Sequence, residues 1–270
     1  MSIDGSTFVI TGGARGIGAA TAVLAAERGA NVVVSDVLVN EGREIVDLIT
    51  SAGGSAHFVE TDLADDSAVH SLMAEAVGRF GGIDVLHNNA GVHEAMLSDD
   101  HRFEDLSVET FDRVLAINLR APFVCAKAAF PYLAKSQRAP SIINAGSTAS
   151  FAAYPAGLAY GTSKGGIAQL TRNLALALAP FGIRANCYCP ATVDTPMVDR
   201  VSQATSTDDA SRRSRQVSTH LVNRIGEPSE IAELVCYLAG EEAAFVNGAV
   251  WLIDGGTLAW RGTLDQLDLG

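Results

Sequence analysis

Aromatic residues are scarce in this chain, at 6% of 270 positions with only 2 Trp, whereas glycine occurs 26 times. That balance suits an α/β protein with many tight strand-to-helix turns better than an all-β sandwich. Basic residues are also few, 19 Lys and Arg against 31 Asp and Glu, for a formal net charge of −12. Nucleic acid and anionic membrane surfaces both require clustered Lys and Arg, so neither is an expected partner. No uninterrupted apolar run is long enough to cross a bilayer. Met1 to Phe8 carries Asp4 and lacks the basic-then-apolar order of a signal peptide, so a cytoplasmic location is expected. Cysteine is limited to Cys125, Cys187, Cys189 and Cys236. No His or further Cys completes a zinc pattern, so no metal is expected and the thiols read as reduced and buried. Cys187 and Cys189 fall in one strand-like stretch and are read here as facing opposite sides of it.

What is present is an alternation of β-branched runs and helical stretches. Strands are expected at Thr7 to Thr11, Asn31 to Asp36, Ala56 to Glu60, Asp84 to Asn88, Ser141 to Ala145, Arg184 to Cys189 and Ala249 to Ile253. Helices are expected at Gly16 to Arg28, Glu41 to Ser51, Asp65 to Phe80, Val108 to Leu133, Tyr160 to Ala179 and Ser229 to Leu238, with Pro122 kinking or dividing the fourth. Strand alternating with helix implies a parallel sheet covered on both faces, the doubly wound Rossmann type. The 48% hydrophobic content supports one substantial core, and the pattern never restarts, so residues 1–270 read as one domain. The least regular region, 192–227, follows the sixth strand at its carboxyl end and reads as a cap over a ligand site. Residues 257–270 read as a tail that reaches a neighbouring subunit or frays.

The first strand runs directly into Thr11-Gly12-Gly13-Ala14-Arg15-Gly16-Ile17-Gly18. A pyrophosphate at a helix N-terminus needs backbone N–H groups brought close to it, and a Cβ would block that approach. Gly12, Gly16 and Gly18 are assigned to this turn. The second strand ends in Asp36, 18 residues beyond Gly18, and that context points to a dinucleotide. A carboxylate there accepts hydrogen bonds from the adenosine ribose and repels a 2′-phosphate. Arg15 could pair with such a phosphate, but Asp36 outweighs it, so the expected cofactor is NAD.

Tyr160 and Lys164 open a helix and, four residues apart, share one face of it. A free Tyr has a pKa near ~10, and a neighbouring cation favours its phenolate, giving useful acid/base behaviour. Ser147, at the end of the fifth strand, lies at the same sheet edge. A solvated helix face is the bland reading of Tyr160 and Lys164 taken alone.

Taken together, TGGARGIG at 11–18, Asp62, NNAG at 88–91, Asn118, Ser147, YGTSK at 160–164 and PATVDTP at 190–196 resemble the short-chain dehydrogenase/reductase family. The resemblance runs from Phe8 to Gly256. It implies that Tyr160 is the general acid/base, with Lys164 lowering its pKa and binding the nicotinamide ribose. Ser147 would orient the substrate oxygen, and Asn118 would help hold a water in the proton relay behind Lys164. Asp62 and Leu63 would touch adenine, and Asn89, Ala90 and Gly91 would lie beside the adenosine ribose. Arg15, Ile17 and Pro190 would complete the cofactor wall, with Val193 and Thr195 at the nicotinamide carboxamide. The family's usual Pro-Gly is here Pro190-Ala191, and its usual serine pair is Gly146-Ser147.

The implied activity is NAD-dependent interconversion of a secondary alcohol and a ketone, in a homotetramer. The substrate pocket is expected from Ala149, Phe151, Tyr154, Pro155, Leu158, Met197 and Val201, which favour a medium-sized apolar or cyclic molecule. Arg212, Arg213 and Arg215 could meet an acidic substrate group. The six histidines are scattered, and His93, just after NNAG, reads as a surface or loop residue. Alternatives on the same scaffold are a cis-dihydrodiol dehydrogenase or an enoyl-type reductase. A non-catalytic NAD-binding sensor or scaffold is the alternative from another class.

Overall fold

The computed structural model describes residues 3–98, 102–205, 217–260, 262 and 266, with backbone only at 204 and 205. His101, the arginines at 212, 213 and 215, and most of the 257–270 tail lie outside the described residues.

Seven parallel strands form one sheet in the order β3-β2-β1-β4-β5-β6-β7. They are β1 (Thr7–Thr11), β2 (Asn31–Asp36), β3 (Ser55–Glu60), β4 (Val85–Asn88), β5 (Ser141–Ala145), β6 (Arg184–Pro190) and β7 (Val250–Ile253). The central runs are apolar because both faces are covered. Phe8, Ile10, Val32 and Val34 enter one core layer, while Val9, Val33, Leu86 and Ile142 enter the other. Strand order reverses between β1 and β4, so a crevice opens at their carboxyl ends.

The helices are α1 (Gly16–Glu27), α2 (Val39–Ser51), α3 (Asp66–Phe80), α4 (Val108–Leu115), α5 (Ala121–Leu133), α6 (Leu158–Leu178), α7 (Pro196–Thr205) and α8 (Pro228–Ala239). Alanine-rich α1 is wedged between the sheet and α8, where small side chains permit close approach. Asp65 caps α3 by accepting the Ser67 N–H, and Gly81 ends it at φ +84°. Within the 192–227 region, Val193 pairs with Gly226 as a parallel bridge, and α7 packs on a 3-10 turn at Glu94–Met96.

Of the two outcomes expected for Val108 to Leu133, the region is divided rather than kinked: a π-helical turn, Ala116–Arg120, just before Pro122 separates α4 from α5. Pro122 sits in the first turn of α5, where a missing N–H costs little, yet it leaves the Asn118 carbonyl without its α-helical donor. Within Val108–Leu133 one 18-residue window reaches mean hydropathy 1.2, long and apolar enough to cross a membrane by length and composition only. Charged residues interrupt it, so it holds no continuous apolar run of that length. In the fold it packs on α3 and β4.

Candidate cofactor cleft and catalytic site

The carboxyl edge of the sheet carries a cleft of about 690 Å³. Of the cofactor residues predicted from sequence, all line it except Gly18 and Val193. Gly12 has φ +64°, and a Cβ there would lie 2.7 Å from the Ala90 Cα. A Cβ on Gly18 would collide with the carbonyl oxygen of Gly12. The turn therefore exists only with glycine at these positions. Asn89 secures it: its Nδ2 donates to the carbonyls of Thr11 (3.1 Å) and Gly12 (2.9 Å), and its Oδ1 accepts from the Tyr188 hydroxyl (3.2 Å). This loop-fastening role was not legible in the sequence.

Asp36 stands at the far wall. Its Oδ2 accepts the Ala14 N–H and its Oδ1 the Leu38 N–H, each at 3.1 Å, which fixes the carboxylate against the glycine turn. Arg15 is ion-paired with Glu41, a partner that sequence reading did not assign. Asp62 accepts the Ala64 N–H at 2.9 Å and lies 3.7 Å from Arg113. A glycine cradle at a helix N-terminus with a fixed carboxylate at the next strand's end fits a dinucleotide.

Tyr160 and Lys164 rise from the first turns of α6, which begins at Leu158, two residues earlier than expected. The Lys164 Nζ is 5.4 Å from the Tyr160 ring centroid and donates to the Ala145 carbonyl at 2.7 Å. Ser147 follows β5; its Oγ accepts the Ala149 N–H at 3.1 Å, and its hydroxyl favours the Tyr160 phenolate. Ser150, overlooked in the sequence, joins the two elements: its Oγ accepts the Ser147 N–H (3.3 Å) and donates to the Lys164 carbonyl (2.8 Å). Asn118 lies in the π turn. Its side chain makes a reciprocal pair with the Val92 backbone, 2.8 Å each way, and donates to the Ser163 Oγ at 3.1 Å. Neither Ser147 nor Asn118 lines the cleft itself.

Burial pushes the Tyr160 phenol up to about 12, with Cys189 and Glu94 adding to the rise and the Ser147 hydrogen bond opposing it. Burial likewise brings Lys164 down to about 8. The direction at Tyr160 is opposite to the lowering expected from Lys164. In the chain alone, desolvation of the phenol prevails, and one of the ammonium's donors is directed at Ala145.

Three further expectations change. His93 is in a loop, as read, but not on the surface: it is 2% exposed, its ring stands 5.0 Å from that of Tyr160, and its Nε2 is 3.0 Å from the Tyr154 hydroxyl. Loop residues are buried or exposed by what packs over them, which is not local information. Cys187 and Cys189 face the same side of β6, with sulfurs 3.8 Å apart, because alternate residues of a strand share a face. Of the expected pocket residues, Met197 lines the cleft. The other apolar walls are Val92, Met96, Leu97 and Ile117, which sequence reading missed.

A Rossmann-type parallel sheet with a glycine turn at one end of its cleft, Tyr160 and Lys164 at the other and Ser147 beside them defines an oxidoreductase class. The family described as enoyl-(acyl carrier protein) reductase matches residues 12–257. The chain is 36% identical over 252 residues to cis-4-hydroxycyclohexanecarboxylate dehydrogenase of Sinomonas cyclohexanicum, covering 93% of this chain and 96% of that one. It is 34% identical over 259 residues to 2,5-dichloro-2,5-cyclohexadiene-1,4-diol dehydrogenase of Sphingobium indicum, covering 95% and 98%. A dehydrogenase/reductase from Sinorhizobium meliloti 1021 superposes with a TM-score of 0.85 at 36% identity, covering 95% of this chain and 96% of that one. The chain belongs to the short-chain dehydrogenase/reductase family.

Proposed function

We propose that the chain is an NAD-dependent oxidoreductase that interconverts a secondary alcohol and a ketone. The observation that carries this reading is the buried Tyr160 phenol on the cleft wall with the Lys164 ammonium 5.4 Å from its ring and the Ser147 hydroxyl acting on it from the end of β5. During oxidation, Tyr160 takes the substrate hydroxyl proton through its phenolic oxygen, and during reduction it returns that proton. Ser147 orients the substrate oxygen, and Lys164 holds the nicotinamide ribose. Asn118 keeps the turn behind Lys164 in register for a water. The nicotinamide, when bound, supplies the two-electron redox chemistry.

NAD rather than NADP follows from Asp36 and Glu41 together. Asp36 repels a 2′-phosphate, and Arg15, the cation that could offset this, is already paired with Glu41. The apolar walls from Val92, Met96, Leu97, Ile117 and Met197 suit a medium-sized apolar or cyclic substrate. A second reading, a cyclic diol substrate, draws support from the relative named as a cyclohexadiene-diol dehydrogenase. Four free, buried cysteines suit a reducing cytoplasm. A homotetramer is the expected assembly.

The test is turnover of a panel of cyclic and acyclic secondary alcohols with NAD and, separately, NADP. NAD turnover is expected to fall by about 10²- to 10⁴-fold in Tyr160→Phe, with NAD still bound. A clear NADP preference would overturn the cofactor assignment, and full activity in Tyr160→Phe would overturn the mechanism.

A further inference from the structure

Glu94 is 1% exposed, a rare place for a carboxylate unless its oxygens are satisfied. They are satisfied by backbone. Oε1 accepts the Ala159 N–H at 2.9 Å and Oε2 accepts the Tyr160 N–H at 3.0 Å. Ala159 and Tyr160 are the second and third residues of α6, where N–H groups have no partner within the helix. The residue in the capping position, Gly157, has no side chain to offer. Glu94 therefore caps α6 from 65 positions away in sequence, with a negative charge at the positive end of a 21-residue helix.

The turn that carries Glu94 is itself fixed. His93 Nδ1 accepts the Ala95 N–H at 3.1 Å, which places the ring proton on Nε2, facing the Tyr154 hydroxyl. That tautomer leaves Nδ1, 3.6 Å from Glu94 Oε2, without a proton to share. The His93 ring lies along Tyr160, and α7 packs on the other side of the turn.

We propose that Glu94 is a positioning residue: its carboxylate holds the backbone of Tyr160 and so aims the phenol at the reacting centre. The proposal rests on the reading of Tyr160 as the acid/base. The groups facing the phenol are Ser147 at the end of β5, Lys164 on α6, Tyr188 and Cys189 on β6, Tyr154, and the turn carrying His93 and Glu94. Among them Glu94 adds a negative charge that opposes phenolate formation.

The test uses Glu94→Gln, which keeps shape but has only one oxygen, and Glu94→Asp, which keeps charge but shortens the reach. In Glu94→Gln, kcat is expected to fall by about 10- to 100-fold with NAD affinity unchanged, as for a small misplacement of a reacting group. The Tyr160 phenol, followed by ultraviolet titration against matched Tyr160→Phe backgrounds, is expected to ionise at lower pH in Glu94→Gln. In Glu94→Asp, kcat is expected to fall with that titration near wild type. Wild-type kcat and wild-type titration in Glu94→Gln would overturn the proposal. Should Glu94→Gln not fold, amide exchange in the wild-type protein decides: slow exchange at Ala159 and Tyr160 supports capping, and exchange at the unprotected rate overturns it. Titration and exchange need no turnover, so they read the cap even if Tyr160→Phe shows that Tyr160 is not the acid/base.

Discussion

The sulfurs of Cys187 and Cys189 lie 3.8 Å apart directly beneath Gly146. A Cβ on Gly146 would stand 2.7 Å from the Cys187 Sγ and would collide with the Cys189 Sγ. The glycine before Ser147 is therefore a packing requirement set by the next strand. Gly146→Ser is expected to lower stability by about 1 to 3 kcal/mol through overpacking. Adding Cys189→Ala is expected to recover part of the loss. Denaturant unfolding of the two single variants and the double variant measures the coupling, and strict additivity would show that the contact is not the cause.

Glu41→Gln is expected to release Arg15 toward the region beside Asp36. NADP kcat/KM should then rise by about tenfold, the size of one charge-assisted hydrogen bond, while NAD kcat/KM stays near wild type. Steady-state kinetics with both cofactors checks this. An unchanged NAD-to-NADP ratio would mean that the Arg15 to Glu41 pair does not govern the choice.

His87 is fully buried, its Nδ1 has no partner among the described residues, and burial lowers its pKa from 6.5 to about 3. Between those values the unfolded chain binds more protons at this position than the folded one, so stability rises with pH there. Acidification from pH 6.5 toward 3 is thus expected to remove stability, on the order of 4 kcal/mol from this residue alone. His87→Gln cannot titrate and should show a shallower acid dependence in unfolding experiments from pH 4 to 7.

Lys164 and Tyr160 have opposite effects in the alkaline range. Lys164 drops from 10.5 to about 8 in the fold, so between these values the unfolded chain holds more protons and stability rises with pH. Tyr160 climbs from 10.0 to about 12, so above 10 the folded chain keeps a proton that the unfolded chain loses, and stability falls. Lys164→Met should flatten the first slope and Tyr160→Phe the second, in unfolding experiments from pH 7.5 to 11. Growth of the Tyr160 phenolate predicts alcohol oxidation that speeds up with rising pH, checked by kcat/KM over that range.

The fold was legible because its signals are local. Runs such as Asn31–Asp36, buried on both faces, can only be inner strands, and the glycines at 12, 16 and 18 mark a turn no other residue permits. The Tyr160 and Lys164 pair is legible because four residues is close to one helical turn. Pro122 signalled the division of Val108–Leu133, but the π form of the turn at Ala116–Arg120 was hidden, since its sequence is as helix-compatible as its flanks. The shared face of Cys187 and Cys189 was open to reading from strand periodicity, and here the inference rather than the signal failed.

By itself, the sequence determined the parallel architecture, the glycine turn beside Asp36, and the chemistry on offer at Ser147, Tyr160 and Lys164, because each is a matter of residue type and short spacing. Only the tertiary structure decided what surrounds those groups. It buried His93, paired Arg15 with Glu41, brought Glu94 onto the N-terminus of α6 and set paired thiols under Gly146. These contacts join residues far apart in sequence, 66 positions for Glu94 and Tyr160, and which of them form depends on how whole elements pack.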